Sequence, residues 1–137
     1  MKIEESVEVA VSAAQAWRVA GDVAGIADWA PVLESATVEG DVRTAVFAGG
    51  GGVARERVLR RDDAAQFYEY EYLDGPLTLD KYVSRISVAE GARGSVVTWA
   101  AEFTAGNAEA EAELATAVSG MYRQGLEGLR ARLTAAP

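Results

Sequence analysis

Cysteine and histidine are both missing from the 137 residues, and these two absences narrow the chemistry more than any motif does. Disulfides, thiol nucleophiles, Ser-His and Cys-His arrangements and the usual zinc ligand sets are all excluded. Proton transfer is left to Asp, Glu, Tyr, Lys2, Lys81 and the N-terminus. Any catalysis is therefore carboxylate or phenol acid-base work, or the positioning of a reactive substrate. Neither a metal site nor a cofactor is expected. Long apolar runs are lacking too, and no stretch approaches the roughly 20 residues that span a bilayer. The start, Met1-Lys2-Ile3-Glu4-Glu5, has none of the regions of a signal peptide, so a cytoplasmic location is expected. Positive charge is scarce: the formal net charge of −8 repels phosphate backbones and anionic lipid heads, which disfavours nucleic-acid and membrane partners. The acidic surface suits a monomer or a homodimer. Gly49-Gly50-Gly51-Gly52 lacks the spaced Lys-Ser/Thr of a phosphate loop and reads as a flexible turn between strands.

What is present is half hydrophobic, as a globular domain requires, and nothing in 1–137 suggests a second domain. In Phe67-Tyr68-Glu69-Tyr70-Glu71-Tyr72, strict alternation puts three phenols on one face of a strand and two glutamates on the other, facing water. Such a face is either the wall of a pocket for a partly aromatic, partly polar molecule or a tyrosine ladder in an ordinary core. Alternation around Val7, Val9 and Val11 predicts a first strand over 3–11. Ser12-Ala13-Ala14-Gln15 has the form of a capping box opening a helix that Gly21 ends. Asp22 opens a second short helix through Trp29, stopped by Pro31. Six further strands follow at about 32–39, 42–48, 53–61, 66–73, 80–89 and 94–104, separated by turn signals. After Gly106-Asn107 the period changes. Leu114, Val118, Met121, Gly125, Leu126, Leu129 and Leu133 recur three or four apart, the stripe of one long amphipathic helix. The expected fold is α+β: a seven-stranded antiparallel sheet wrapped around a long C-terminal helix, with two short helices between strands 1 and 2.

This order, together with Asp28-Trp29-Ala30-Pro31, Glu56-Arg57, Tyr70-Glu71-Tyr72 before Gly75-Pro76-Leu77, Tyr82, Thr98-Trp99 with Glu102-Phe103, and Gly120-Met121-Tyr122 with Gly125-Leu126 and Leu129, resembles the START-like SRPBCC superfamily. Its members share the helix-grip fold and include polyketide cyclase/dehydrase-type proteins, the birch-pollen allergen family and plant abscisic-acid receptors. The resemblance implies an elongated cavity between the curved sheet and the terminal helix. Carried over position by position, it turns Tyr68, Tyr70 and Tyr72 inward, with Tyr82, Ser84 and Ile86 on the sixth strand and Thr98 and Ala100 on the seventh. It also turns Glu34, Arg43 and Glu56 inward, and makes Met121, Gly125 and Leu126 the cavity floor. An unpaired buried charge costs several kcal/mol, so Arg43 is expected to pair with Glu34 or Glu56 and leave one carboxylate for a ligand. By analogy with the plant receptors, Ala48 to Gly52 would be a gate and Asp74 to Thr78 the facing latch, although neither receptor motif is present. Trp17, Trp29 and Trp99 read as core or edge residues.

Two functions follow. The first is binding of a small hydrophobic or aromatic, polyketide-like molecule by Glu34, Arg43, Glu56, Tyr68, Tyr70, Tyr72, Tyr82, Ser84, Thr98, Met121 and Gly125. The second is a cyclase or dehydratase in which Tyr70 or Glu56 moves a proton during aldol closure and dehydration. A protein-interaction module is a third class, which no large exposed apolar run supports.

Overall fold

The protein, as a computed structural model, is described over residues 1–134. β1 (Lys2–Val9) leads into α1 (Ala13–Ala20), which starts as its sequence dictates: the Ser12 side chain accepts from the Gln15 amide and Gln15 reaches back to the Ser12 backbone. Gly21 closes it. The next segment, Val23–Asp28, is a 3-10 helix rather than an α-helix. Its Asp22 makes no side-chain cap, and six residues interrupted by Gly25 are too few to propagate a 13-atom ladder.

β2 (Leu33–Glu39), β3 (Val42–Phe47), β4 (Val53–Asp62), β5 (Phe67–Asp74), β6 (Lys81–Gly91) and β7 (Gly94–Thr104) then follow as a meander, and α2 (Ala108–Thr134) ends the described chain. All strand pairings are antiparallel, in the order β1-β7-β6-β5-β4-β3-β2. α2 starts on an Asx cap, with the Ala110 amide donating to Asn107 Oδ1 at 2.8 Å, and lies against β1 and β7. Its buried stripe is Leu114, Val118, Tyr122, Gly125, Leu126 and Leu129, spaced four, four, three, one and three, and it meets Ile86, Val97 and Phe103 of the sheet in one core. Each fully buried aliphatic of that stripe contributes about 1.5–3 kcal/mol through the area it removes from water. Met121 and Leu133 flank the stripe and are only partly buried.

Two glycines of α2 permit this approach. A Cβ on Gly125 would stand 2.9 Å from Trp99 Cζ3, and one on Gly128 would overlap the carbonyl oxygen of Trp29. Gly120 faces open space.

Candidate functional site

A cleft of about 60 Å³ lies between the inner face of the sheet and α2. Alternation on five neighbouring strands supplies its wall: Ala45 and Phe47 from β3, Ala54 and Glu56 from β4, Tyr70 and Tyr72 from β5, Tyr82 from β6 and Trp99 from β7. Ile26 and Ala30 close one side, and Met121 and Tyr122 close the floor. A larger depression of about 430 Å³ lies on the opposite face, rimmed by Lys2, Glu4, Glu69, Arg85 and Glu102. That trough is wide and open, with charges already opposed across strands, so the inner cleft is the better place for chemistry.

Two polar clusters stand behind the wall. In the first, Arg43 Nε donates to Glu56 Oε1 at 2.9 Å, and Nη1 donates to the Val23 carbonyl at 2.9 Å and to the Tyr68 hydroxyl at 3.0 Å. The guanidinium also lies over the Tyr70 ring, 4.8 Å from its centroid. Arg43 is 1% exposed, whereas the Glu56 side chain keeps 13% and reaches the cleft. Burial works against the arginine's charge, yet Tyr68, Glu56 and Tyr70 outweigh it and hold the guanidinium protonated well beyond any accessible pH. Nη2 is buried without an acceptor among the described residues, as is Trp29 Nε1.

The second cluster is phenolic. Tyr82 and Tyr122 share a hydroxyl-hydroxyl hydrogen bond, Ser84 Oγ lies 2.8 Å from the Tyr122 hydroxyl, and Ser84 donates to the Ala100 carbonyl at 3.0 Å. Trp99 Nε1 lies 3.1 Å from the Tyr70 hydroxyl and 3.0 Å from Ser84 Oγ and donates toward both, while its ring stacks on Tyr122 with centroids 4.0 Å apart. Burial pushes the Tyr70, Tyr82 and Tyr122 hydroxyls well above the usual phenol range, so all three are neutral donors rather than bases.

The expected site residues divide into four groups. Glu56, Tyr70, Tyr72, Tyr82 and Met121 line the cleft together. Arg43, Tyr68 and Ser84 are inward but sit behind that wall, where Arg43 holds Glu56 through Nε and keeps Nη2 unpaired among the described residues, Tyr68 is bonded to Arg43, and Ser84 to the Trp99-Tyr122 pair. Gly125 packs under Trp99 without lining the space. Glu34 and Thr98 are corrections. β2 carries an irregularity between Leu33 and Ser35, one residue of β2 beyond the count on β3, so Leu33 and Ala36 turn inward and Glu34 is exposed. On β7 the inward phase is Val97, Trp99, Ala101 and Phe103, so Thr98 and Ala100 lie on the outer face. Arg43 accordingly pairs with Glu56 and not with Glu34.

Trp99 and Tyr122 also line the cleft and are not among the expected site residues, and neither are Val32, Leu33, Ala45, Phe47 and Leu77. The exposed Glu102 could have set the β7 phase, and the four-residue steps from Val118 through Tyr122 to Leu126 mark Tyr122 as central to the helix stripe. Glu69 and Glu71 do lie on the outer face, half-covered by neighbours such as Arg60, whose Nη1 is 3.6 Å from Glu69.

Two loops meet next to Leu77, which lines the cleft. Gly49, Gly50 and Gly52 adopt φ of 67°, 74° and 105°, which β-carbon-bearing residues rarely accept, and a Cβ on Gly52 would sit 3.4 Å from Pro76. The Leu77 amide donates to the Tyr72 hydroxyl at 2.9 Å, which brings the Leu77 side chain over the cleft.

The model of the family described as "Polyketide cyclase / dehydrase and lipid transport" matches residues 1–134. A search of curated proteins finds no match. Among solved structures, the protein XoxI from Bacillus cereus is 28% identical with a TM-score of 0.90, over 97% of this chain and 95% of its own. A Thermobifida fusca protein is also 28% identical, with a TM-score of 0.85 over 98% and 93%. The Zhui aromatase/cyclase from Streptomyces sp. R1128 is 21% identical, with a TM-score of 0.78 over 98% and 93%, a likeness of fold.

Proposed function

This chain belongs to the polyketide cyclase/dehydrase and lipid transport family, and from that premise we propose that it binds a small hydrophobic or aromatic, polyketide-like molecule between the sheet and α2. The observation that carries this reading is the composition of the wall: apolar Ala45, Phe47, Ala54, Ile26 and Met121 interleaved with the phenols of Tyr70, Tyr72 and Tyr82 and the carboxylate of Glu56. Apolar area drives entry, and a few fixed polar groups set orientation.

A space of about 60 Å³ has room for only about four waters and lies far below the roughly 300–1,000 Å³ of drug-sized sites. Binding therefore requires the mouth to open. The segment to move is Asp74–Asp80, since Leu77 is held over the cleft by a single amide-phenol bond and Pro76 meets a glycine.

A second reading, ring closure or dehydration of such a molecule, is favoured by the juxtaposition of neutral phenols and a carboxylate on one wall. Glu56 would take a proton from carbon, while Tyr70 would donate a hydrogen bond to the enolate oxygen. Native mass spectrometry of the protein from its own host, followed by turnover assays with whatever copurifies, separates the two. A retained molecule that is never converted supports binding. Product formation that disappears in folded Tyr70→Phe or Glu56→Gln supports catalysis. Absence of any retained or added ligand overturns both.

A further inference from the structure

Nη2 of Arg43, with no acceptor while the rest of the guanidinium is fully engaged, points to what the ligand carries. In a planar guanidinium, Nε–H and one Nη2–H project side by side from the same edge, the fork that a carboxylate normally takes with both oxygens. Glu56 takes only half of it. Oε1 accepts from Nε at 2.9 Å, no hydrogen bond reaches Oε2 among the described residues, and Glu56 itself lines the cleft. Among the described residues the pair thus keeps one unused donor, Nη2–H, and one unused acceptor, Oε2. Arg43 does not line the cleft and its Nη2 is buried, so a small group reaches that donor only by entering beside Glu56 as the mouth opens.

We propose that the edge between Arg43 and Glu56 is a hydroxyl subsite, taking an alcohol or phenol of the ligand that accepts from Arg43 Nη2 and donates to Glu56 Oε2. This rests on the ligand-binding reading above and adds the chemical class. Charged groups and groups that only accept do not fit. A carboxylate would accept from Nη2 but oppose Glu56, an ammonium would satisfy Glu56 but oppose Arg43, and an ether or ketone can only accept. Leaving a buried polar group unpaired costs more than a pair gains, so the site discriminates most strongly against molecules that lack the hydroxyl.

The test compares 2-naphthol, 2-methoxynaphthalene and 2-naphthoate by calorimetric titration of the full chain. The expected result is 2-naphthol binding at least tenfold more tightly than either analogue, with the advantage shrinking below threefold in Glu56→Gln. The wild-type series stands by itself should that variant fold poorly. Equal binding of all three to wild type overturns the hydroxyl subsite and leaves the binding reading intact. Preference for 2-naphthoate overturns the subsite in favour of an anion site on Arg43. Failure of all three to bind overturns both.

Discussion

The interaction that decides most at the level of single residues is Arg43 with Glu56. A guanidinium shut away from water persists only because its neighbours match it, and removing the partner of a buried charge costs about 3–5 kcal/mol. Glu56→Leu should therefore lower unfolding stability by that amount in urea denaturation, whereas Glu56→Gln, which keeps an oxygen for Nε, should lose less than half as much. Equal losses would show that Glu56 matters through its volume and not through the arginine. The pairing was half legible in advance: Arg43 and Glu56 fell in phase on neighbouring strands, and the register pairs them directly. Glu34 competed for the same role only because a bulge leaves no trace in hydrophobic alternation. Thr98 was misplaced because both phases of β7 contain apolar residues, Val96 and Ala100 on one side and Val97 and Trp99 on the other.

Among elements, α2 shows where glycine in a helix is a defect and where it is a fit. Gly120→Ala meets nothing and should raise stability by up to about 1 kcal/mol, the helix propensity it recovers. Gly128→Ala must displace the Trp29 carbonyl and should destabilise despite the same gain in propensity. Thermal denaturation of the two variants side by side checks this, and a stabilising Gly128→Ala would contradict the close approach of α2 to the 29–31 segment. The loop over the mouth carries its own expectation. Tyr72→Phe removes the acceptor for the Leu77 amide, so stopped-flow binding of 2-naphthol should show both association and dissociation accelerating, with affinity changed less than threefold. Unchanged rates would mean that Leu77 does not gate the cleft. Both loops were readable as turns, since Gly, Pro and Asp punctuate strands for known conformational reasons. Their approach to each other was not, because it brings Gly52 against Pro76, residues far apart in sequence.

For the whole molecule, strand and helix periods alone led to the seven strands and the terminal helix within a few residues, since each element obeys a local rule: alternation, a capping box, a three-to-four repeat. The size of the cleft escaped that reading because volume is set by long side chains meeting from five strands and a helix at once. The same convergence buries four phenols, Tyr68 among them, and a pH dependence follows. Burial raises the Tyr68, Tyr70, Tyr82 and Tyr122 hydroxyls above their unfolded value near 10, so below that value the protonated state costs nothing and stability is complete. Above it the unfolded chain releases protons that the folded one keeps, and stability should fall by about 1.4 kcal/mol per pH unit for each phenol held neutral. Equilibrium unfolding between pH 9 and 12 measures this, and Tyr122→Phe, which removes one of four such phenols, should flatten the slope by about a quarter. A slope that Tyr122→Phe leaves unchanged would contradict the buried phenol cluster.

The central claim, that the cleft beside Trp99 receives the ligand, is tested most directly by the indole ¹H–¹⁵N resonances during titration with 2-naphthol. Trp99 Nε1–H lies in the phenol cluster at the cleft, whereas Trp17 Nε1–H donates to Asp63 at 3.0 Å, outside it. The prediction is a saturable shift of the Trp99 resonance with Trp17 unmoved, abolished by Ala54→Leu, which fills the space. A Trp99 resonance that stays fixed, or that moves equally in Ala54→Leu, would contradict it.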